Sequence, residues 1–262
     1  MRLLMIGDVI AQVGCDFLRQ RLPGLKRQYG IDVVIANGEN AAVGNGILPH
    51  SANFLLDSGV NVITTGNHVY KRREIFSYLE ENEMVIRPVN FREDAPGKGV
   101  YLYDAGAFSI LVVNLMGTSY MEPLENPFDA MDRILEKNDG PGGFGATYIV
   151  VDFHAEATGE KKAMGYYLDG RVSVVAGTHT HVQTADEQIL PAGTGYITDL
   201  GMTGPVDSVL GVLPENIIAR LRTHLPTRFE VPENTPCRMD ACLFELDPGT
   251  GKCLSVERLG IL

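Results

Sequence analysis

Val172-Ser173-Val174-Val175-Ala176-Gly177-Thr178-His179-Thr180-His181 is the stretch on which the reading of this chain turns. Its first five residues are mostly apolar and β-branched, which suits a strand covered on both faces. The run stops at a glycine and then offers two imidazoles at alternate positions, so both point the same way in extended backbone. The same order recurs elsewhere. The apolar run at 3–6 is followed by Gly7-Asp8, that at 33–36 by Asn37-Gly38-Glu39-Asn40, that at 62–65 by Gly66-Asn67-His68, and that at 149–153 by His154. Ligands of open α/β sheets bind outside the carboxyl ends of the strands, so parallel neighbours would bring all five tips to one rim.

Between these runs lie helix-period segments, expected at 16–29 with an interruption at Pro23, at 49–57, at 71–82 and at 129–137. Further strands are expected near 101–103 and 108–113. The last third differs, with strand-like segments at 193–198, 227–231, 239–246 and 254–259 and one intervening helix at 214–224. That pattern predicts an antiparallel portion packed against a mixed one. The segment 116–128 has no clean period and reads as a long loop near the pocket. The segment 202–205 reads as either a lid or an oligomer contact.

The chain has 262 residues, 45% hydrophobic and 21% charged, enough apolar material for a core without disulfide or metal staples. No linker, charge run or repeat divides it, so residues 1–262 are expected to form a single domain. There are 22 Lys+Arg against 33 Asp+Glu, a net charge of −11, which argues against a broad nucleic-acid surface. The cysteines at 15, 237, 242 and 253 form no C-x-x-C pair, and Cys237 and Cys242, which flank a strand-like segment, are expected to be structural. No stretch approaches a membrane span, and no export signal is seen, so a cytoplasmic location is expected.

The tips gather Asp8, Glu39, Asn40, Asn67, His68, His154, His179 and His181. Taken singly, each has an ordinary explanation: Gly-Asp is a common turn, Asn67 satisfies a turn, and a lone histidine is as often structural as functional. Five coincidences at strand ends are harder to dismiss. Carboxylates, carboxamides and imidazoles without thiolate suit two divalent ions such as Mn²⁺, Fe²⁺ or Zn²⁺ in five- or six-coordinate sites. Glu39 is the candidate bridge. His50 and His224 lie outside any strand end, and Lys161-Lys162 reads as a solvent-exposed pair.

This order of motifs resembles the calcineurin-like metallophosphoesterases, with signature Asp-x-His, Gly-Asp, Gly-Asn-His-Asp/Glu, a lone His and Gly-His-x-His. Two positions depart from it: Ile10 stands where Asp-x-His has His, and Val69 replaces the acid after Gly-Asn-His. With Gly201-Met202-Thr203-Gly204-Pro205, and Met116-Gly117 followed by Asn126-Pro127-Phe128, nearly the whole chain resembles the YmdB-like subfamily. The resemblance implies an α/β fold, a four-layer αββα sandwich with mixed sheets, and a di-metal centre, often di-iron. It also implies phosphodiesterase activity on cyclic nucleotides, notably 2′,3′-cyclic ones. By motif, Asp8, Asn40 and His181 would hold the first ion and Asn67, His154 and His179 the second. Glu39 would bridge, and His68 would stay off the metals as general acid. An oligomer of identical chains is suggested by the resemblance alone.

The chemistry so implied is attack of a metal-bridging hydroxide on phosphorus, opening a 2′,3′-cyclic nucleotide to the 3′-monophosphate. His68 would protonate the leaving oxygen if anionic surroundings keep it charged. Two other readings stay open: a phosphomonoesterase or protein phosphatase on the same centre, and a metal-binding regulatory protein that acts through partners.

Overall fold

The computed structural model describes residues 1–232 and 235–262 and contains two mixed sheets with helices on both outer faces. The first sheet runs β2 (Asp8–Val9), β11 (Met202–Pro205), β12 (Cys237–Leu246), β1 (Arg2–Ile6), β3 (Val33–Asn37), β4 (Val62–Thr64), with β13 (Cys253–Ile261) paired to β12. The second runs β5 (Val100–Asp104), β6 (Ser109–Met116), β7 (Tyr148–His154), β8 (Val174–Thr178), β10 (Gly195–Ile197), β9 (Gln188–Ile189).

Alternation along the strands builds the layers. In β1, Leu3 and Met5 face the second sheet, where they pack with Ile35, Ile110, Val112, Val150 and Val174. Leu4 and Ile6 point the other way, against Leu18 and Leu22 of helix α1 (Ala11–Tyr29), Leu55 of α2 (Pro49–Asp57) and Leu79 of α3 (Ile75–Glu81). On the far side, Leu111, Val113, Val151 and Phe153 pack with Met131 and Ile134 of α4 (Pro127–Asp139) and Met164 and Leu168 of α5 (Thr158–Leu168). Three separate apolar layers make the expected αββα sandwich. Helix α6 (Pro214–Thr223) lies apart from them, with no buried residue of its own. No helix among the described residues is long and apolar enough to cross a membrane.

Several sequence expectations give way to packing. Helix α1 starts earlier than expected and runs unbroken through Pro23. A mid-helix proline costs about 3 kcal/mol, but burial of Leu18, Leu22 and Leu25 in one core outweighs it at roughly 1.5–3 kcal/mol each. Helix α5 leaves no helical signature in the sequence, because its buried face is Lys161, Met164, Gly165 and Leu168, which makes no apolar stripe. The segment 227–231 forms no strand; prolines at 226 and 232 flank it and it pairs with no ladder. The segment 202–205 is not a lid but strand β11, held inside the first sheet between β12 and β2. The antiparallel strands are not a separate portion either, because β12 is inserted between β11 and β1 within the first sheet.

What positions the site is strand direction. In the first sheet β1, β3 and β4 run parallel. In the second, β6, β7, β8 and β10 run parallel. Their carboxyl ends therefore open on a common rim.

Candidate metal centre

All eight sequence-predicted side chains meet at that rim in two connected groups. In one, Asp8 Oδ1 lies 3.5 Å from His181 Nε2 and accepts from Asn40 Nδ2 at 3.2 Å, and Asn40 Nδ2 is 3.3 Å from His181 Nε2. In the other, His154 Nε2 faces Asn67 Oδ1 at 3.0 Å and His179 Nδ1 at 3.1 Å. Glu39 stands between them: its Oε1 is 3.2 Å from His154 Nε2 and 3.3 Å from Asn40 Nδ2. His68 donates its backbone N–H to Glu39 Oε2 at 2.9 Å, and its Nδ1 lies 2.9 Å from Asn40 Oδ1. Ile10 is buried at the start of α1, and Val69 is fully buried in the outer core, so the two departures from the signature are apolar packing residues here.

The deeper contacts fix which ring nitrogen faces inward. Thr178 Oγ1 donates to Asp152 Oδ1 at 2.7 Å and so accepts from His154 Nδ1 at 2.9 Å, which leaves His154 Nε2 for the centre. His181 Nδ1 donates to the Leu210 carbonyl at 3.1 Å, again freeing Nε2. His179 Nε2 pairs with Glu156 at 3.1 Å, freeing Nδ1. Imidazoles tied down through one nitrogen present the other as an oriented ligand.

A buried polar floor joins the two sheets under these rings. Asn37 Nδ2 of β3 donates to Asp152 Oδ2 of β7 at 3.3 Å, and Thr64 of β4 donates to the same carboxylate. Gly66 permits the closest approach: a Cβ there would lie 2.3 Å from His154 Nε2, so any side chain would push the ring out of place. Asp152 was visible in the sequence only as a charge interrupting a Val-rich run. A carboxylate inside a strand covered on both faces is itself a signal, because such a group needs partners.

Lys161 corrects the expectation of an exposed pair. Its ammonium is buried and bonded to Asp199 Oδ2 at 2.6 Å, while Lys162 is half-exposed beside Asp186. Asp199 also accepts the Thr180 N–H at 3.1 Å and the Gly201 N–H at 2.9 Å, and the Gly201 carbonyl accepts the Asp8 N–H at 3.1 Å. His179 and His181 bracket Thr180 with φ of 106° and 61°, a backbone region costly for residues bearing a Cβ. Asp199 therefore clamps the strained turn that carries both imidazoles. His50 is exposed in the first turn of α2, and His224 is exposed at the C-terminal end of α6.

The electrostatics of the cluster favour cations. Burial opposes ionisation of Asp8 and Glu39, yet neighbouring histidines hold both carboxyls below the usual range. Burial likewise opposes a charge on His154, but Glu39 and Asp8 raise its pKa to about 9. Burial pushes Asp152 up to about 6, against the hydroxyls of Thr64 and Thr178. For His68 burial wins: it lowers the pKa, and Glu39 offsets this only in part.

The donor set fits a divalent ion. Glu39, His154 and His179 each offer one atom within 4.8 Å of the others. With His154 Nδ1 and His179 Nε2 engaged elsewhere, the inward nitrogens, Asn67 Oδ1 and Glu39 Oε1 leave more acceptors than one proton can satisfy. A cation resolves that excess.

A sandwich whose two sheets bring carboxylate, carboxamide and imidazole side chains to one rim is the architecture of a hydrolase of the metallophosphoesterase type, the class to which the relatives below belong. Its architecture is shared with a Haemophilus influenzae NAD nucleotidase at TM-score 0.61 and 10% identity over 100% of this chain and 56% of that one, a likeness of fold alone. The chain belongs to the YmdB-like protein family, whose model matches residues 4–259. It is 44% identical over 259 residues to a 2′,3′-cyclic-nucleotide 2′-phosphodiesterase of Bacillus subtilis, covering 99% of this chain and 96% of that protein. The crystal structure of a novel phosphatase from Mycoplasma pneumoniae superposes at TM-score 0.92 with 34% identity, covering 100% of this chain and 93% of that one.

Proposed function

We propose that this protein hydrolyses 2′,3′-cyclic nucleotides to 3′-monophosphates at a two-metal centre, with residues 1–262 acting as one catalytic unit. The observation that carries the reading is the convergence on Glu39 of two ligand groups, Asp8–Asn40–His181 and Asn67–His154–His179. The name of the Bacillus subtilis relative supports the choice of substrate.

In this reading Asp8, Asn40 and His181 would hold one ion, Asn67, His154 and His179 would hold the other, and Glu39 would serve both. Asn40 serves in place of the histidine that Ile10 replaces. The mixed oxygen and imidazole set suits Fe²⁺ or Mn²⁺ and tolerates Zn²⁺. Divalent ions bound there supply Lewis acidity toward the phosphate oxygens and a lowered pKa for water.

The chain's own part is orientation and proton transfer. Thr178, Leu210 and Glu156 keep three imidazoles in one tautomer and one direction. Water gives one proton to solvent and its oxygen adds at phosphorus, the bond from phosphorus to the 2′-oxygen breaks, and His68 gives its proton to that oxygen and regains one from solvent. Its ring is 22% exposed, unlike the buried imidazole of His154. Burial lowers the His68 pKa, so an anionic substrate beside the ring is what restores its proton.

Purified protein is expected to convert 2′,3′-cAMP to 3′-AMP with Mn²⁺ or Fe²⁺, and to lose that activity on chelation and regain it on metal return. Turnover should be much slower on 3′,5′-cAMP and on p-nitrophenyl phosphate. The likeness to the Mycoplasma pneumoniae phosphatase favours the competing reading, in which p-nitrophenyl phosphate is the best substrate. Metal-dependent hydrolysis of that monoester without cleavage of 2′,3′-cAMP would sink the diester assignment.

A second measurement addresses the bridge. Glu39→Gln is expected to reduce bound metal at both positions, read by elemental analysis after desalting, because its carboxylate sits between the two ligand groups. Full metal content in that variant excludes Glu39 as a shared ligand.

A further inference from the structure

Tyr120 is the most exposed large apolar side chain among the described residues, at 92%. Its backbone has φ of 62°, a region L-residues with a Cβ enter only at a cost. Such a residue is normally a loose loop tip, but this loop is anchored on both sides. Glu160 accepts the Thr118 N–H at 2.9 Å and the Ser119 N–H at 3.2 Å, immediately before Tyr120. Asn90 binds the carbonyls of Met116 at 2.8 Å and Glu125 at 3.1 Å, at the two ends of the loop. Gly117 is required for this clamp, since a Cβ there would lie 2.5 Å from the Glu160 carboxylate.

The loop also has an address. Tyr120, Met121 and Glu122 line one cavity of 430 Å³ together with Asn67 and His179 of the metal centre. Its lining therefore combines the amide and imidazole of Asn67 and His179 with an aromatic ring, a thioether and a carboxylate from the loop. A carboxylate repels an anion, so the phosphate of a bound nucleotide is favoured beside Asn67 and His179 rather than beside Glu122.

We infer that Tyr120 is the stacking platform for the nucleobase of the substrate and sets the preference for nucleotides over base-free sugar phosphates. The inference rests on the diester reading above and deepens it. An aromatic held open to solvent offers a π-face that any base accepts, so discrimination among bases is expected to be weak.

The test compares wild type, Tyr120→Ala and Tyr120→Phe on 2′,3′-cAMP and on ribose 2,3-cyclic phosphate. Tyr120→Ala is expected to raise KM for the nucleotide about tenfold relative to the base-free substrate, with kcat changed far less. Tyr120→Phe should stay close to wild type, because the ring and not the hydroxyl is used. Equal effects on both substrates, or none on the nucleotide, overturn the inference. Calorimetry of 3′-AMP against ribose 3-phosphate on the metal-loaded protein gives an arm independent of turnover. If neither cyclic substrate is cleaved, the diester reading fails. The platform is then supported if the preference for 3′-AMP is lost in Tyr120→Ala, and overturned if wild type shows no preference or the variant keeps it.

Discussion

His68→Ala is expected to lower kcat/KM for 2′,3′-cAMP by roughly 10²–10⁴-fold, the usual loss for a general acid, while metal content stays that of wild type. The expectation follows from where the ring sits. His68 contacts Glu39 and Asn40 but projects from the loop after β4 with part of its edge exposed, unlike buried His154. A proton donor matters most when the departing group is a poor one. The 2′-alkoxide needs a proton and p-nitrophenolate does not, so the loss on bis(p-nitrophenyl) phosphate should shrink to about tenfold or less. His68→Gln retains a side chain able to bond Asn40 and separates proton donation from support of that neighbour. Equal losses on both diesters would assign His68 to positioning, and loss of metal would assign it to the ligand set.

Asp199→Ala is expected to destabilise the protein by about 3–5 kcal/mol, because it strands the Lys161 ammonium in the core without a partner. In a chain of this size that corresponds to a fall in Tm on the order of 10 °C, measured by calorimetry. The effect should reach the metal centre as well, since the Thr180 N–H and the Gly201 N–H both lose their acceptor. The double change Lys161→Met with Asp199→Leu tells the two roles apart. Replacing a buried pair by apolar residues of similar size is often neutral, so stability should largely return. The turn bearing His179 and His181 would still lack its clamp, so weak metal binding should persist. Recovery of both together would mean that Asp199 acts through stability alone.

The strand ends and their polar tips were legible because both signals are local. A β-branched run followed by glycine and an imidazole states its meaning within ten residues, and the five runs recur in the same grammar. Helix α5 and strand β11 were not legible. The first hides a buried lysine in its apolar face, and the second takes its identity from pairing with β2 and β12. Pro23 misled for the opposite reason: a local breaker was overruled by the core around it.

The candidate site divides in the same way. Asp8, Glu39, Asn40, Asn67, His68, His154, His179 and His181 are announced by position in the sequence, each at the end of a run that must be a strand. Which ring nitrogen faces inward, the polar floor through Asp152, the Lys161–Asp199 clamp and the approach of Tyr120 to Asn67 and His179 exist only once distant segments are packed together. Local patterning can place a ligand at a strand end because the backbone period is a property of neighbouring residues. It cannot orient that ligand, because orientation comes from hydrogen bonds to partners remote in the chain, such as Asp8 with His181 and Asn37 with Asp152.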